Sequence, residues 1–200
     1  MDGFTRRKEQ SKEDIRKAAW ELFSQFGVDK VSIADIARKA NVSQATIYNN
    51  FESKEALVRE FVTSTVEQLV DRVQEILTPQ KQYHEKMLAF IQFLSDIMVD
   101  GRPSAADSAI FTSSFDLQND PEIKTIRMEA QRKMTGLMLE LVQEGRQQGQ
   151  VNPDLSEEVL SIYFAIFMDV FTNPDLLHQF FHRPELVRDL GSMMLNGLRS

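Results

Sequence analysis

Residues 32 to 57, SIADIARKANVSQATIYNNFESKEAL, hold two helix-start signals so close together that neither helix can run for more than about two turns. Ser32 and Asp35 form an S-x-x-D capping box, and Ile33, Ile36 and Ala37 repeat on one face behind it. Ser43 is the next N-cap candidate, reached through a turn at Asn41 and Val42, and the inward residues of the helix that follows are Ile47 and Phe51. Isolated helices of this length are not stable in water, so the pair must be held by a neighbouring helix at the steep crossing that a tight turn imposes.

That neighbour lies just upstream. Ser11 and Asp14 make a second capping box, which is expected to open a first helix striped by Ile15, Ala18, Ala19, Leu22, Phe23 and Phe26 and stopped by Gly27. Downstream, Ser53 is expected to start a long fourth helix running through Leu57, Phe61, Val70 and Val73 towards Pro79. Apolar residues keep recurring at helical spacing, which places further helices near 81–99, 104–116, 121–148, 155–172 and 184–198, with a short one near 174–182. Asp120 before Pro121 reads as an N-cap with proline at N1, and Gly149 as a stop. The expected fold is all-α: an N-terminal three-helix helix-turn-helix head joined by a long helix to a C-terminal helical bundle. The domain boundary is expected between residues 53 and 54, leaving 54–200 as the second domain.

Composition narrows the function classes. Cysteine is absent, which excludes thiol catalysis, zinc-thiolate sites and disulfides. The N-terminus is polar and lacks the apolar core of a signal peptide, and the most apolar stretch, Ile162 to Phe171, is about half the roughly 20 residues that span a bilayer. A cytoplasmic, nucleoid-associated location without a membrane partner is the expectation. The net charge of −7 is unevenly placed: residues 1–60 hold 11 Lys and Arg against 10 Asp and Glu, and residues 61–200 hold 12 against 20. Arg6, Arg7, Lys8 and Lys12 cluster ahead of the first capping box, either as a basic footprint for phosphate or as a solvated tail.

The third helix has the chemistry of a base-reading face. Ser43, Gln44, Ala45, Thr46, Tyr48, Asn49 and Asn50 bring small and polar groups and no bulky aliphatic to its outer side. Gln44 and Asn49 can pair bidentately with adenine, Ala45 and the Thr46 methyl can pack on a thymine methyl, and Tyr48 can reach phosphate or base. Lys54, at the start of the fourth helix, adds a charge for a backbone phosphate, and Ser32 stands at the start of the second helix. Double-stranded DNA is the partner these residues fit.

These residues also carry a resemblance. Ile15 to Leu57, with AAWELFxxFG at 18–27, VSIADIA at 31–37, NVSxATIY at 41–48 and FESKEAL at 51–57, resembles the N-terminal domain of the TetR family of bacterial transcriptional regulators. The departures are Asn41 and Ala45, where glycine is frequent in the family, and Asn49-Asn50, where an aromatic or histidine is usual. The resemblance implies a homodimer that binds a pseudo-palindromic operator and is released by a small-molecule effector held in the C-terminal body.

The second body offers its own support. The 155–172 segment is apolar around its circumference and needs partners on more than one side, which a dimer with the last helix as the other half supplies. Ten of 14 phenylalanines and eight of nine methionines follow residue 60, an adaptable interior for a largely apolar ligand. The candidate ligand residues are His84, Met87, Ile91, Gln92, Phe111, Met134, Tyr163, Phe167 and Asp169. His84 and Asp169, polar on apolar faces, either orient a ligand or make a structural hydrogen bond. Asp175, His178 and His182 have the spacing of a metal site but no supporting motif, so no metal or cofactor is expected. No nucleotide-binding glycine pattern or hydrolase motif is present, so an enzyme is not expected. The alternative is a constitutive DNA-binding or protein-recruiting factor with no small-molecule site.

Overall fold

The structure is a computed structural model and describes residues 3–78, 80–99, 120–172 and 183–198. Among these residues are eight α-helices and no strand: α1 (Gly3–Phe26), α2 (Ile33–Ala40), α3 (Gln44–Asn50), α4 (Lys54–Ile76), α5 (Tyr83–Val99), α6 (Pro121–Gln147), α7 (Glu157–Thr172) and α8 (Pro184–Gly197). The helices expected near 104–116 and 174–182 lie outside the described residues. The chain divides into one compact unit of Met1–Thr65 with Ser104–Lys124 and a second of Val66–Pro103 with Thr125–Ser200. The first three turns of α4 thus group with the head, beyond the boundary expected at residue 53.

In the first unit α1, α2 and α3 pack on one another around Ile15, Ala19, Phe23, Ile36, Ile47, Phe51, Leu57 and Phe61, each at most 4% exposed. Trp20 meets Phe61 edge-on with ring centroids 5.0 Å apart, and Phe23 lies 5.3 Å from the same ring. Phe26, expected on the inward stripe, is 49% exposed, because it falls in the last turn before Gly27 ends the helix at φ +81°. The larger departure is at the other end. α1 begins at Gly3, so Ser11 and Asp14 lie inside the helix and cap nothing; Asp14 instead accepts from the Gln10 side chain at 3.0 Å. A capping box needs the chain to leave helical geometry at the serine, and here the backbone continues through it.

Other helix ends form as the sequence dictates. Ser53 Oγ accepts from the Ala56 amide at 3.1 Å, and Asp120 Oδ1 accepts from the amides of Glu122 and Ile123 at 2.9 and 3.1 Å. Asp120 Oδ2 also takes the Arg59 Nε at 2.9 Å, which ties the N-terminus of α6 to α4 within the first unit. Gly149 ends α6 at φ +68°.

In the second unit α5 contributes Tyr83, Met87, Phe90, Ile91 and Leu94 to an interior shared with Met134, Met138, Leu141 and Val142 of α6, Leu160, Phe164 and Phe167 of α7, and Val187 and Met194 of α8. α5 and α8 pack closely because Gly191 faces Ile91: a Cβ at Gly191 would sit 2.5 Å from Ile91 Cγ2 and 2.9 Å from its Cγ1. Ile91 is β-branched and cannot swing aside cheaply. Gly191→Ala is therefore expected to destabilise the chain by about 1–3 kcal/mol through overpacking, despite the helix propensity it gains. Denaturant unfolding checks this, and Gly197→Ala, where a Cβ meets nothing within 4 Å, is the matched control.

Candidate nucleic-acid interface

The turn between α2 and α3 is fixed by local chemistry. Ser32 Oγ accepts from the Asp35 amide at 3.2 Å while Asp35 Oδ2 accepts from the Ser32 amide at 3.1 Å, completing the reciprocal cap. The Ser32 hydroxyl and amide, with Arg38 at 3.2 Å, hold the Asp35 carboxyl below the usual carboxylate range. At the other end Asn41 adopts the left-handed conformation at φ +55°, and the amides of Asn41 and Val42 return to the last carbonyls of α2. Asn41 is the only non-glycine residue at positive φ among those described. Asparagine is one of few residues that tolerate this region, which explains how it replaces a glycine here.

Ser43 then caps α3, its Oγ accepting from the Thr46 amide at 3.1 Å and lying 2.8 Å from Thr46 Oγ1. Ile47 is fully buried and Phe51, at the C-cap, is 4% exposed, so the opposite face is turned outward. That face consists of Gln44, Ala45, Tyr48 and Asn49, all exposed, with Tyr48 at 52%. Ser32 and Ser43 are exposed beside it but have hydroxyls engaged in caps. Two of the expected contacts are less available. Thr46 is half-buried with its hydroxyl on Ser43, and Asn50 is half-buried with Nδ2 donating to the Thr46 carbonyl at 2.8 Å. Periodicity explains this: residues 46 and 50 lie one turn apart on the flank of the helix next to Ile47. Lys54 is half-buried at the first position of α4.

One set of supports has no signature in the sequence pattern. The Phe51 ring lies under two cations of α1, with Lys12 Nζ 5.4 Å and the Arg16 guanidinium 5.7 Å from its centroid. Arg16 also donates from Nε to Glu60 of α4 at 2.8 Å and pairs with Glu13 at 3.5 Å. The Glu60 hydrogen bond raises the Arg16 pKa above its ordinary value against the opposing effect of burial. The spacing of Lys12 and Arg16 is visible in the sequence, but their partner, 35 or more positions away, is not.

The geometry is that of a helix-turn-helix whose second helix presents a polar face, and the comparison with known proteins agrees. Residues 15–61 match the model for bacterial regulatory proteins of the tetR family. Residues 15–61 thus resemble a tetR-family head. Every residue from Ser32 to Lys54 expected to face DNA falls inside the match. YhgD of Bacillus subtilis (strain 168), an uncharacterized HTH-type transcriptional regulator, is 24% identical over 163 residues, 78% of this chain and 81% of its own. Among solved structures, a TetR family transcriptional regulator from Agrobacterium tumefaciens superposes with a TM-score of 0.72 at 18% identity, covering 96% of this chain and all of that one. FadR from Bacillus subtilis in complex with stearoyl-CoA gives 0.66 at 18% identity over 94% and 99% of the two chains. The tetR relatives are transcriptional regulators, not enzymes.

The residues expected around an effector separate into groups. Met87, Ile91, Met134 and Phe167 are buried in the second unit. His84 and Gln92 are exposed, and Gln92 Nε2 donates to Asp96 at 2.6 Å. The α5 stripe that is buried runs through Tyr83, Met87, Phe90 and Leu94, which leaves His84 on its flank beside the exposed Leu88. Tyr163 is 36% exposed and packs against Phe164 and Phe167; burial of the rest of the ring pushes its phenol pKa up. Phe111 and the side chain of Asp169 lie outside the described residues, as do Asp175, His178 and His182 of the possible metal spacing. Among the described residues no cluster of three or more metal-ligating side chains occurs, and no helix is long and apolar enough to cross a membrane.

Proposed function

We propose that this chain is a dimeric, ligand-responsive repressor that reads a pseudo-palindromic operator with α3 and is released by a small, largely apolar effector. The observation that carries this is the outward face of Gln44, Ala45, Tyr48 and Asn49 on a helix whose other side is locked by Ile47 and Phe51. A recognition helix held that firmly can present base-pairing groups at fixed positions. Of the nine DNA-facing residues, Gln44, Ala45, Tyr48 and Asn49 are the base-facing set, Lys54 meets phosphate, Ser32 and Ser43 act mainly as caps, and Thr46 and Asn50 shape the helix.

Dimerisation is supported by α7, which leaves Val159, Ile162 and Ile166 at 55–65% exposed on one side of the helix, and by Met193 of α8 at 70%. An apolar row of this kind on an isolated chain is the mark of an interface. Two heads so paired would meet successive major grooves about 34–36 Å apart. A largely apolar effector fits the Met- and Phe-rich interior around Met87, Ile91, Met134 and Phe167, and the acyl thioester in FadR is one chemical class to try. The work of such a regulator is done at the nucleoid, in the cytoplasm. α4 starts at Lys54 in the first unit and continues into the second, so it is the covalent route by which a ligand would act on DNA contacts. A coupling of about 1–3 kcal/mol would change operator affinity roughly 5- to 150-fold.

Gln44→Ala and Asn49→Ala are expected to relax base preference at about 1–3 kcal/mol for each bidentate pairing removed, whereas Lys54→Ala weakens binding to every duplex and flattens its salt dependence. Footprinting and competition against random DNA separate the two behaviours; equal losses on operator and random duplex for Gln44→Ala would remove it from the base-reading set. Thermal shift with acyl thioesters, lipophilic cations and aromatic compounds tests the effector site, since a bound ligand stabilises by RT ln(1 + [L]/Kd). If none stabilises the protein, the constitutive DNA-binding factor is the better reading.

A further inference from the structure

We propose that the N-terminal extension of α1 is a second DNA-contacting element, in which Lys8 holds the phosphate backbone flanking the bases that α3 reads. The inference rests on the DNA-reading role of α3. α1 starts at Gly3, while the tetR match starts only at residue 15, so three turns of helix precede the matched head. This turns the basic cluster from a tail into part of a helix with defined faces. Lys8, Lys12 and Arg16 are spaced four apart and form one row.

The row has a known direction. Its lower members, Lys12 and Arg16, lie over the ring of Phe51, which is the C-cap of α3. The row therefore looks onto the end of the recognition helix, and Lys8 continues it outward by one turn, roughly 5.4 Å. Arg16 is neutralised by Glu60 and Glu13. Lys8, by contrast, is exposed and in no ion pair among the described residues.

Charge complementarity selects the occupant. Residues 1–12 hold four basic and two acidic side chains, whereas the other 188 hold 19 and 28. A chain so acidic as a whole is repelled by a polyanion, and attraction must come from a local concentration of cations. The one beside the end of α3 is placed where the backbone of a duplex seated on α3 continues. The contact carries no sequence information, since lysine and arginine side chains on phosphate fix position and not base identity.

The test uses full-length protein and a duplex recovered by in vitro selection from a random-sequence library, with a random duplex for comparison. Affinity is measured over a series of KCl concentrations for the wild type, K8Q, K54A and K133Q, the last removing the same charge from an exposed part of α6. K8Q is expected to lower the slope of log affinity against log salt by about 0.9 for each phosphate that is no longer neutralised. Binding to both duplexes should weaken alike, and trimming the selected duplex to its footprinted half-sites should abolish the difference from wild type. A slope for K8Q no different from K133Q, with K54A still defective, would overturn the proposal and leave the α3 reading intact. Weakening on the selected duplex alone would also overturn it, in favour of base contact. Failure of the wild type to enrich any duplex would remove both readings.

Discussion

Phe51→Ala is expected to abolish DNA binding while changing no residue that faces DNA. The ring is 4% exposed at the C-cap of α3, its amide closes the last turn onto the Ile47 carbonyl at 2.7 Å, and two cations of α1 rest on its face. Truncation removes the whole ring from a close-packed head and costs about 3–5 kcal/mol. That is a large part of the roughly 5–15 kcal/mol that holds a typical domain together. Arg16 and Lys12 also lose their stacking partner, so α3 loses the lateral support that sets its angle. Phe51→Leu should recover much of the binding, because it refills most of the volume without the ring. The two variants are compared by duplex affinity and by denaturant unfolding; wild-type affinity for Phe51→Ala would mean that α3 is positioned by something else.

The second large effect is expected in the other unit. Lys86 is 3% exposed, and its ammonium is paired with Glu144 of α6, whose second oxygen accepts from Gln148 at 3.1 Å. Gln148 in turn accepts from the Tyr83 amide at 3.3 Å, so the network fastens the start of α5 to the end of α6. Glu144→Leu leaves the ammonium buried without its counter-charge, a change that costs about 3–5 kcal/mol at such sites. The Lys86→Met/Glu144→Leu pair should regain most of it, because neither charge then has to be desolvated. If the single and double variants unfold at the same denaturant concentration, the ion pair is not what stabilises this junction.

Lys86 also shows why some of the fold is not legible in the sequence. Periodicity treats lysine as an outward residue, so the pattern in α5 points to a stripe through His84, Met87, Leu88, Ile91, Leu94 and Met98. The buried stripe shares Met87, Ile91 and Leu94 with it but takes Tyr83, Lys86 and Phe90 in place of His84 and Leu88, and lysine can sit in it only because Glu144, 58 residues away, neutralises it. The same distance problem hides Arg16, whose partners Phe51 and Glu60 are brought near it only by folding. By contrast, the α2 and α3 caps, the Gly27 and Gly149 stops and the Asp120 start rest on contacts between close neighbours in the chain, and these form as the residues dictate. The Ser11 box fails because its pattern fits an N-terminus without requiring one, and nothing in residues 3–10 breaks a helix. The outward face of α3 is legible almost entirely. Asn50 and Thr46 are the exceptions, since whether a polar residue on a helix flank points out or folds back onto the backbone depends on its neighbours.

The regulator proposed here depends on α3 reading a two-fold DNA site. The most direct measurement is selection of duplexes by the purified full-length protein from a random-sequence library, repeated with Gln44→Ala and Asn49→Ala. Enrichment of an inverted repeat with half-sites about one helical turn apart is expected, with loss of preference at particular positions in each variant. Enrichment of no sequence, or of the same sequence with undiminished preference in both variants, would contradict it.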